Sequence, residues 1–140
     1  MVTQAQRAML EAHIEAERRQ DLDAILVTLS AQPSYVIPNY VVTGREALRA
    51  MYQRSMSALT PENADEYLRA LEDPRVATWG DNHIVLQYSD DYPLHAGMAV
   101  VIHFDGDHIR SEDTYYTSAG RFRPDPDDGF ASLPGVRRLG

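Results

Sequence analysis

The chain of 140 residues contains no cysteine and no lysine. Without cysteine there is no disulfide scaffold, no thiolate metal site and no thiol nucleophile, which fits a reducing compartment. Without lysine there is no Schiff-base chemistry, and all 13 cationic side chains are arginine. Positive charge is scarce overall: 21 acidic residues give a formal net charge of −8. Clustered cations are what neutralise a phosphate backbone, so no nucleic-acid partner is expected. No apolar run approaches the ~18 residues of a membrane span. Met1 to Arg7 also lacks the charged-then-apolar pattern of a secretion signal, so no membrane association and a cytoplasmic location are expected. Phenylalanine is rare, at 3 against 8 tyrosines. A tyrosine brings an apolar ring with a polar tip that needs a partner once buried. What remains, 44% hydrophobic and 24% charged residues, describes one soluble domain. A chain of this length buries roughly two-thirds of its unfolded surface and needs no staples.

Along the chain, Ala8, Met9, Ala12, Ile14 and Ala16 recur near helical spacing and predict a helix from Thr3 to about Arg19. Asp21 reads as the cap of a second short helix through Leu29, stopped by Gln32-Pro33. A short β segment is expected over Ser34 to Pro38, and a third helix from Gly44 to about Leu59. Thr60-Pro61-Glu62 places an N-cap, an N1 proline and a first-turn acid in order, opening a fourth helix through about Glu72. Two hairpins follow: Arg75 to Trp79 with His83 to Asp90, and Ala96 to Phe104 with His108 to Thr117 around Asp105-Gly106-Asp107. Helices first and antiparallel strands last predict an α+β fold with the helices on one face of a curled sheet. Residues 1–118 are expected to form the domain and 119–140, rich in proline and glycine, an irregular tail. Phe122 and Phe130 in that tail are candidates for a lid over a pocket; the alternative is that the tail stays unstructured.

Asp21-Leu22-Asp23, Tyr35 to Pro38, the stretch Gly44 to Tyr52, and Val100 to Ile109 through Tyr115-Tyr116 together resemble the SnoaL-like branch of the nuclear transport factor 2-like (NTF2-like) superfamily, over about residues 5 to 118. The resemblance implies a cone-shaped, curved antiparallel sheet wrapped around the N-terminal helices, a deep pocket and commonly a homodimer. Relatives include ketosteroid isomerase, limonene epoxide hydrolase, scytalone dehydratase, polyketide cyclases and members that bind without catalysing. Fold alone does not choose among these. By the resemblance His13 occupies the place of the isomerase's first-helix tyrosine, while its proton-shuttling aspartate falls on Ile37 and its second acid near Val100. Of the epoxide hydrolase's residues, only the tyrosine at Tyr35 and one aspartate at Asp90 are kept; its asparagine, arginine and last-strand aspartate fall on Ile37, Tyr88 and Thr114. The last-strand acid of the cyclases also falls on Thr114, leaving Glu112 or Asp113 to substitute. Scytalone dehydratase has aromatics where His13 and Glu17 stand, which implies that this helix face looks into the pocket.

From the residues themselves, His13 and Glu17 are neighbours four apart on a helix and form the best candidate for proton handling. A solvated helix face is the plain alternative, and a metal site would need a third ligand that the sequence does not place. Glu112 and Asp113 point to opposite faces of a strand, so only one enters the pocket. Tyr35, Tyr52, Tyr88, Asp90, Met98, Val100, Thr114 and Tyr116 are candidates for substrate contact, each tyrosine competing with a simple core role. Alternation along the strand puts Ala96, Met98, Val100 and Ile102 inward, and Gly97, Ala99, Val101 and His103 outward. An outward face this apolar predicts a homodimer through the sheet. The expected activity is cofactor-independent acid-base chemistry (cyclisation, isomerisation, dehydration or hydration) on a small apolar oxygenated ligand such as a polyketide or terpenoid, with His13, Glu17 and Glu112 as the catalytic set and no metal. A non-catalytic binder of the same fold is the alternative.

Overall fold

The computed structural model describes residues 1–116 and 129–139. It is α+β. Helix α1 (Gln4–Arg18) opens on a capping box, in which the Thr3 hydroxyl accepts from the Gln6 backbone and the Gln6 side chain accepts from the Thr3 backbone. Leu10, His13, Ile14 and Ala16 share its buried face. Helix α2 (Leu22–Val27) is capped by Asp21 and ends two residues earlier than the sequence pattern suggests. The Arg45 guanidinium donates to the carbonyl of Leu26 in its last turn and to those of Leu29 and Ser30 just beyond it, at 2.7, 3.1 and 3.1 Å. An arginine aimed at these carbonyls both closes the end of α2 and ties it to the next helix.

The third expected helix is divided. Helix α3 (Arg45–Ser55) gives way to a 3₁₀ turn, Met56–Ala58, before Thr60 caps α4 (Pro61–Leu71). The strands β3 (Ala77–Trp79), β4 (His83–Gln87), β5 (Met98–Asp105) and β6 (His108–Tyr116) pair in sequence order as one antiparallel sheet. Inward alternation holds on β5, where Val100, Ile102 and Phe104 are buried and Ala99, Val101 and His103 are half-buried. β4 stops at Gln87, three residues short of the expected end.

A second sheet, β1-β2-β7, contains two strands absent from the sequence reading. β1 (Ser34–Ile37) turns tightly through Pro38-Asn39 into β2 (Tyr40–Thr43), with Ile37 opposite Tyr40. Pro38 presets the first central dihedral of that turn and Asn39, at φ 73°, tolerates the second. β7 (Val136–Arg138), from the supposedly irregular tail, pairs with β2. Gly135 permits the approach, since a Cβ there would lie 2.2 Å from the Thr43 carbonyl oxygen. Phe130 is fully buried edge-on against Tyr40, ring centroids 5.2 Å apart, and is therefore part of the core and not a lid. Phe122 lies outside the described residues. Among the described residues no helix is long and apolar enough to cross a membrane.

Candidate active site

A cavity of about 340 Å³ lies between the helices and the sheets, at the lower end of the ~300–1,000 Å³ range of small-molecule sites. Its walls come from α1 (Glu17), β1 (Tyr35, Ile37), α3 (Met51, Tyr52), the turn before α4 (Leu59, Thr60), α4 (Asn63, Tyr67), the loop after β4 (Leu94, His95), β5 (Met98, Val100) and β6 (Glu112, Thr114, Tyr116). No arginine lines it among the described residues.

Glu112 reaches this cavity because of a bulge. Phe104 pairs with Ile109 while His103 pairs with Ser111, so Arg110 is an extra residue on β6. Were β6 regular through Arg110, Ile109 and Asp113 would share a face and Glu112 would lie on the other. The bulge inverts the alternation beyond it: Ile109 stays in the core, Glu112, Thr114 and Tyr116 turn into the cavity, and Asp113 turns away. There the Asp113 carboxylate accepts from the Val36 backbone N–H at 3.0 Å and joins β6 to β1. Burial holds the Asp113 carboxyl above its ordinary value.

His13 sits behind the cavity wall with 1% of its surface exposed. Its Nδ1 is 2.7 Å from the Thr28 hydroxyl, which itself donates to the Ile25 carbonyl at 2.6 Å. With that proton committed, Thr28 can only accept, so Nδ1 carries hydrogen. The other nitrogen, Nε2, faces Glu17 Oε1 at 3.0 Å, the Tyr52 hydroxyl at 3.3 Å and Glu112 Oε2 at 3.4 Å. Both carboxylates are mostly covered, at 14% and 15% exposure. Burial alone would lower the His13 pKa. The field of Glu17 and the contacts with Glu112 and Glu17 more than reverse this, and the value is pushed up to about 10. His13 is therefore an imidazolium at neutral pH. Burial also pushes the Glu17 carboxyl above its ordinary value, against the lowering pull of His13 and with Glu112 adding to the rise.

Phenols complete the cluster. The Tyr35 and Tyr52 hydroxyls are 2.9 Å apart, and Tyr52 donates to Glu17 Oε1 at 3.4 Å. Burial pushes both well above the usual tyrosine value, with the nearby carboxylates adding to the effect. They remain neutral donors. The Tyr67 hydroxyl, on the cavity wall, and the Tyr88 hydroxyl behind it are buried without a hydrogen-bond partner.

Of the residues singled out from the sequence, Glu17, Glu112, Tyr35, Tyr52, Met98, Val100, Thr114 and Tyr116 line one cavity, and His13 stands directly behind Glu17 and Glu112. Tyr88 is buried but lies behind the wall, stacked on His95 at 4.6 Å. Asp90 does not belong: β4 has already ended, a turn closes from the Tyr92 N–H to the Ser89 carbonyl at 3.0 Å, and Asp90 projects into solvent. Four polar residues were missed. Thr28 sets the His13 tautomer, and His95 lies on the cavity wall beside buried Glu66. Tyr67 was legible, because it follows Ala64 at helical spacing on the apolar face of α4. Nothing local marks Glu66 or His95.

The third ligand missing from the sequence reading is Glu112: one donor atom each from His13, Glu17 and Glu112 lies within 4.8 Å of the others. These groups could close on a divalent cation. In this structure they close on one another, around the His13 charge.

No family model matches the chain, and no curated protein matches it. Solved structures do. A SnoaL-like protein of unknown function from Burkholderia thailandensis superimposes with a TM-score of 0.51 at 18% identity, over 84% of this chain and 100% of that one. A putative ketosteroid isomerase from Kribbella flavida gives 0.53 at 11% identity, over 89% and 87%. A putative polyketide cyclase from Xanthomonas campestris pv. campestris gives 0.53 at 17% identity, over 81% and 91%. Identities this low speak to the fold alone, and the fold is NTF2-like.

Proposed function

We propose that this NTF2-like cone is an enzyme performing acid-base chemistry without a cofactor on a small, neutral, mostly apolar oxygenated molecule of the polyketide or terpenoid kind. The observation that carries this reading is the convergence of two carboxylates, from α1 and β6, on one buried imidazolium at the cavity wall. The roles differ from those expected of the sequence. Glu112 and Glu17 face the cavity, so a carboxylate exchanges the proton with the substrate; His13 is the positioning residue behind them, holding both in place and balancing their charge. A base at that place removes a proton next to a carbonyl or from a hydroxyl. Tyr52 spends its proton on Glu17 and Tyr35 on Tyr52, so the donor for the substrate oxygen on which charge develops is the neutral Tyr67 phenol, whose hydroxyl on the cavity wall has no other partner. Among the described residues the cavity wall carries two carboxylates and no arginine, which favours a neutral ligand over a carboxylate- or phosphate-bearing one.

The test is deuterium incorporation next to the carbonyl of neutral aryl and cyclic ketones in D₂O, followed by NMR. The wild-type chain is expected to exchange above the buffer background, and Glu112→Gln to lose about 10²–10⁴-fold of that rate. A non-catalytic ligand-binding role is the second reading, supported by the apolar Ile37 and Val100 on the cavity wall. Ketones that bind with no exchange above background would decide for it.

A further inference from the structure

A proton holds the three groups at His13 together imperfectly. His13 Nε2 lies 3.0 Å from Glu17 Oε1 and 3.4 Å from Glu112 Oε2. A single Nε2–H bond cannot point at both carboxylates, and Glu112 Oε2 is buried without a hydrogen-bond partner. Charge is unbalanced as well. Two carboxylates share one imidazolium, and among the described residues no arginine lines the cavity. A doubly charged ion answers both defects: it attracts every donor around it, and it supplies the positive charge that one proton leaves short.

The donors are already arranged for such an ion. The Thr28 hydroxyl gives its own proton to the Ile25 carbonyl and accepts from His13 Nδ1 at 2.7 Å, so a neutral His13 presents its lone pair at Nε2, on the side of both carboxylates. Tyr52 donates to Glu17 Oε1 at 3.4 Å and steadies that carboxylate from behind. One donor atom each from His13, Glu17 and Glu112 lies within 4.8 Å of the others. Ligands about 2.1 Å from a tetrahedral ion stand about 3.4 Å from one another, which is the scale of the two separations at Nε2.

We propose that His13 Nε2, Glu17 and Glu112 form a binding site for a divalent transition-metal ion, Zn²⁺ by donor type, with a fourth position on the cavity side for water. One imidazole nitrogen and two carboxylate oxygens suit Zn²⁺, whereas Ca²⁺ and Mg²⁺ seek about six or more oxygens. The ion takes the place of the Nε2 proton, which leaves to solvent. The site itself goes beyond the proposed function; its effect rests on that function. An ion that holds Glu17 and Glu112 leaves neither free to take a proton from a substrate, so Zn²⁺ blocks the acid-base chemistry of a chain that works metal-free.

Calorimetric titration of Zn²⁺ into the untagged, chelator-treated full-length chain at pH 7 tests this. One ion per chain is expected, bound about 100-fold more weakly in His13→Gln and in Glu112→Gln. His83→Gln should bind as the wild type does: His83 stands opposite His103 on the other side of the sheet, with ring centroids 6.0 Å apart, and is the competing surface position. No saturable binding below about 100 μM, or binding that His13→Gln leaves unchanged, overturns the proposal. Should the cavity variants fail to fold, ¹⁵N NMR of the histidine-labelled wild type decides: Zn²⁺ should move the His13 Nε2 signal, and movement of His83 and His103 alone overturns the site. Ketone exchange measured alongside separates the two readings. Zn²⁺ held at His13 in a chain without exchange above background upholds the site and removes the proposed function. Exchange in a chain that binds no Zn²⁺ removes the site and leaves the function standing.

Discussion

His13 holds its proton more tightly in the folded chain than in the unfolded one, which gives stability a definite pH dependence. With the unfolded value near 6.5 and the folded value about 10, its contribution is complete below pH 6.5 and is lost as pH rises toward 10. Glu17, raised in the folded state, acts in the same direction from its lower starting value. The melting temperature is therefore expected to fall steadily between pH 7 and 10, measured by thermal unfolding at constant ionic strength. His13→Gln should flatten that slope. At pH 7 the variant should also lose about 3 kcal/mol in urea unfolding, because two carboxylates stay buried without their cation. A wild-type chain with a flat melting curve across that window would show that His13 is not charged in the fold.

Elements decide where these residues end up. The sequence places β6 correctly but leaves Glu112 and Asp113 as equals, because alternation is a rule of parity and one extra residue inverts it. Arg110 is that residue. Deleting it should restore regular pairing while leaving Ile109 in the core and Glu112 opposite Ile102 on the cavity side. Ketone exchange is then expected to stay at no less than half of the wild-type rate, as it should in Arg110→Gln, which keeps the bulge; a loss as large as that of Glu112→Gln in the deletion would show that Arg110 does more than set parity. Helix starts are simpler, since capping is local: Thr3, Asp21 and Thr60 accept from their own first turns as their spacing implies. Thr60→Ala is expected to cost about 1 kcal/mol by urea denaturation, with no change in the pH profile.

The whole molecule is closed by a segment that composition alone marks as tail. Phe130 fills the core beside Tyr40, with the Arg54 guanidinium over its ring at 5.6 Å, and β7 adds a strand to β2. Phe130→Ala should therefore cost about 3–5 kcal/mol in urea unfolding, a core cavity effect that a lid residue would not give. On the outer face of the larger sheet, Ala99, Val101 and His103 remain half-exposed and Tyr115 is 52% exposed. The homodimer expected from this face predicts a two-chain sedimentation coefficient for the wild type and a one-chain coefficient for Val101→Glu, with the cavity unaffected because Val101 points away from it.

What the sequence determined by itself is whatever depends on neighbours along the chain: helix caps, the Asp-Gly hairpin, alternation on β5, the i, i+4 approach of His13 and Glu17, and the chemistry excluded by missing cysteine and lysine. The tertiary structure alone decided which polar groups meet. Thr28 fixes a proton on His13, Glu112 arrives through a bulge 99 residues after His13, and Glu66 holds His95 across a sequence gap of 29. Such meetings depend on how far each strand runs and where its parity shifts, and those are set by the packing of the whole core. The tyrosine excess shows both sides. Composition announced rings with polar tips, and only folding brought Tyr35, Tyr52, Tyr67 and Tyr116 to one cavity and sent Tyr40 into the core beside Phe130.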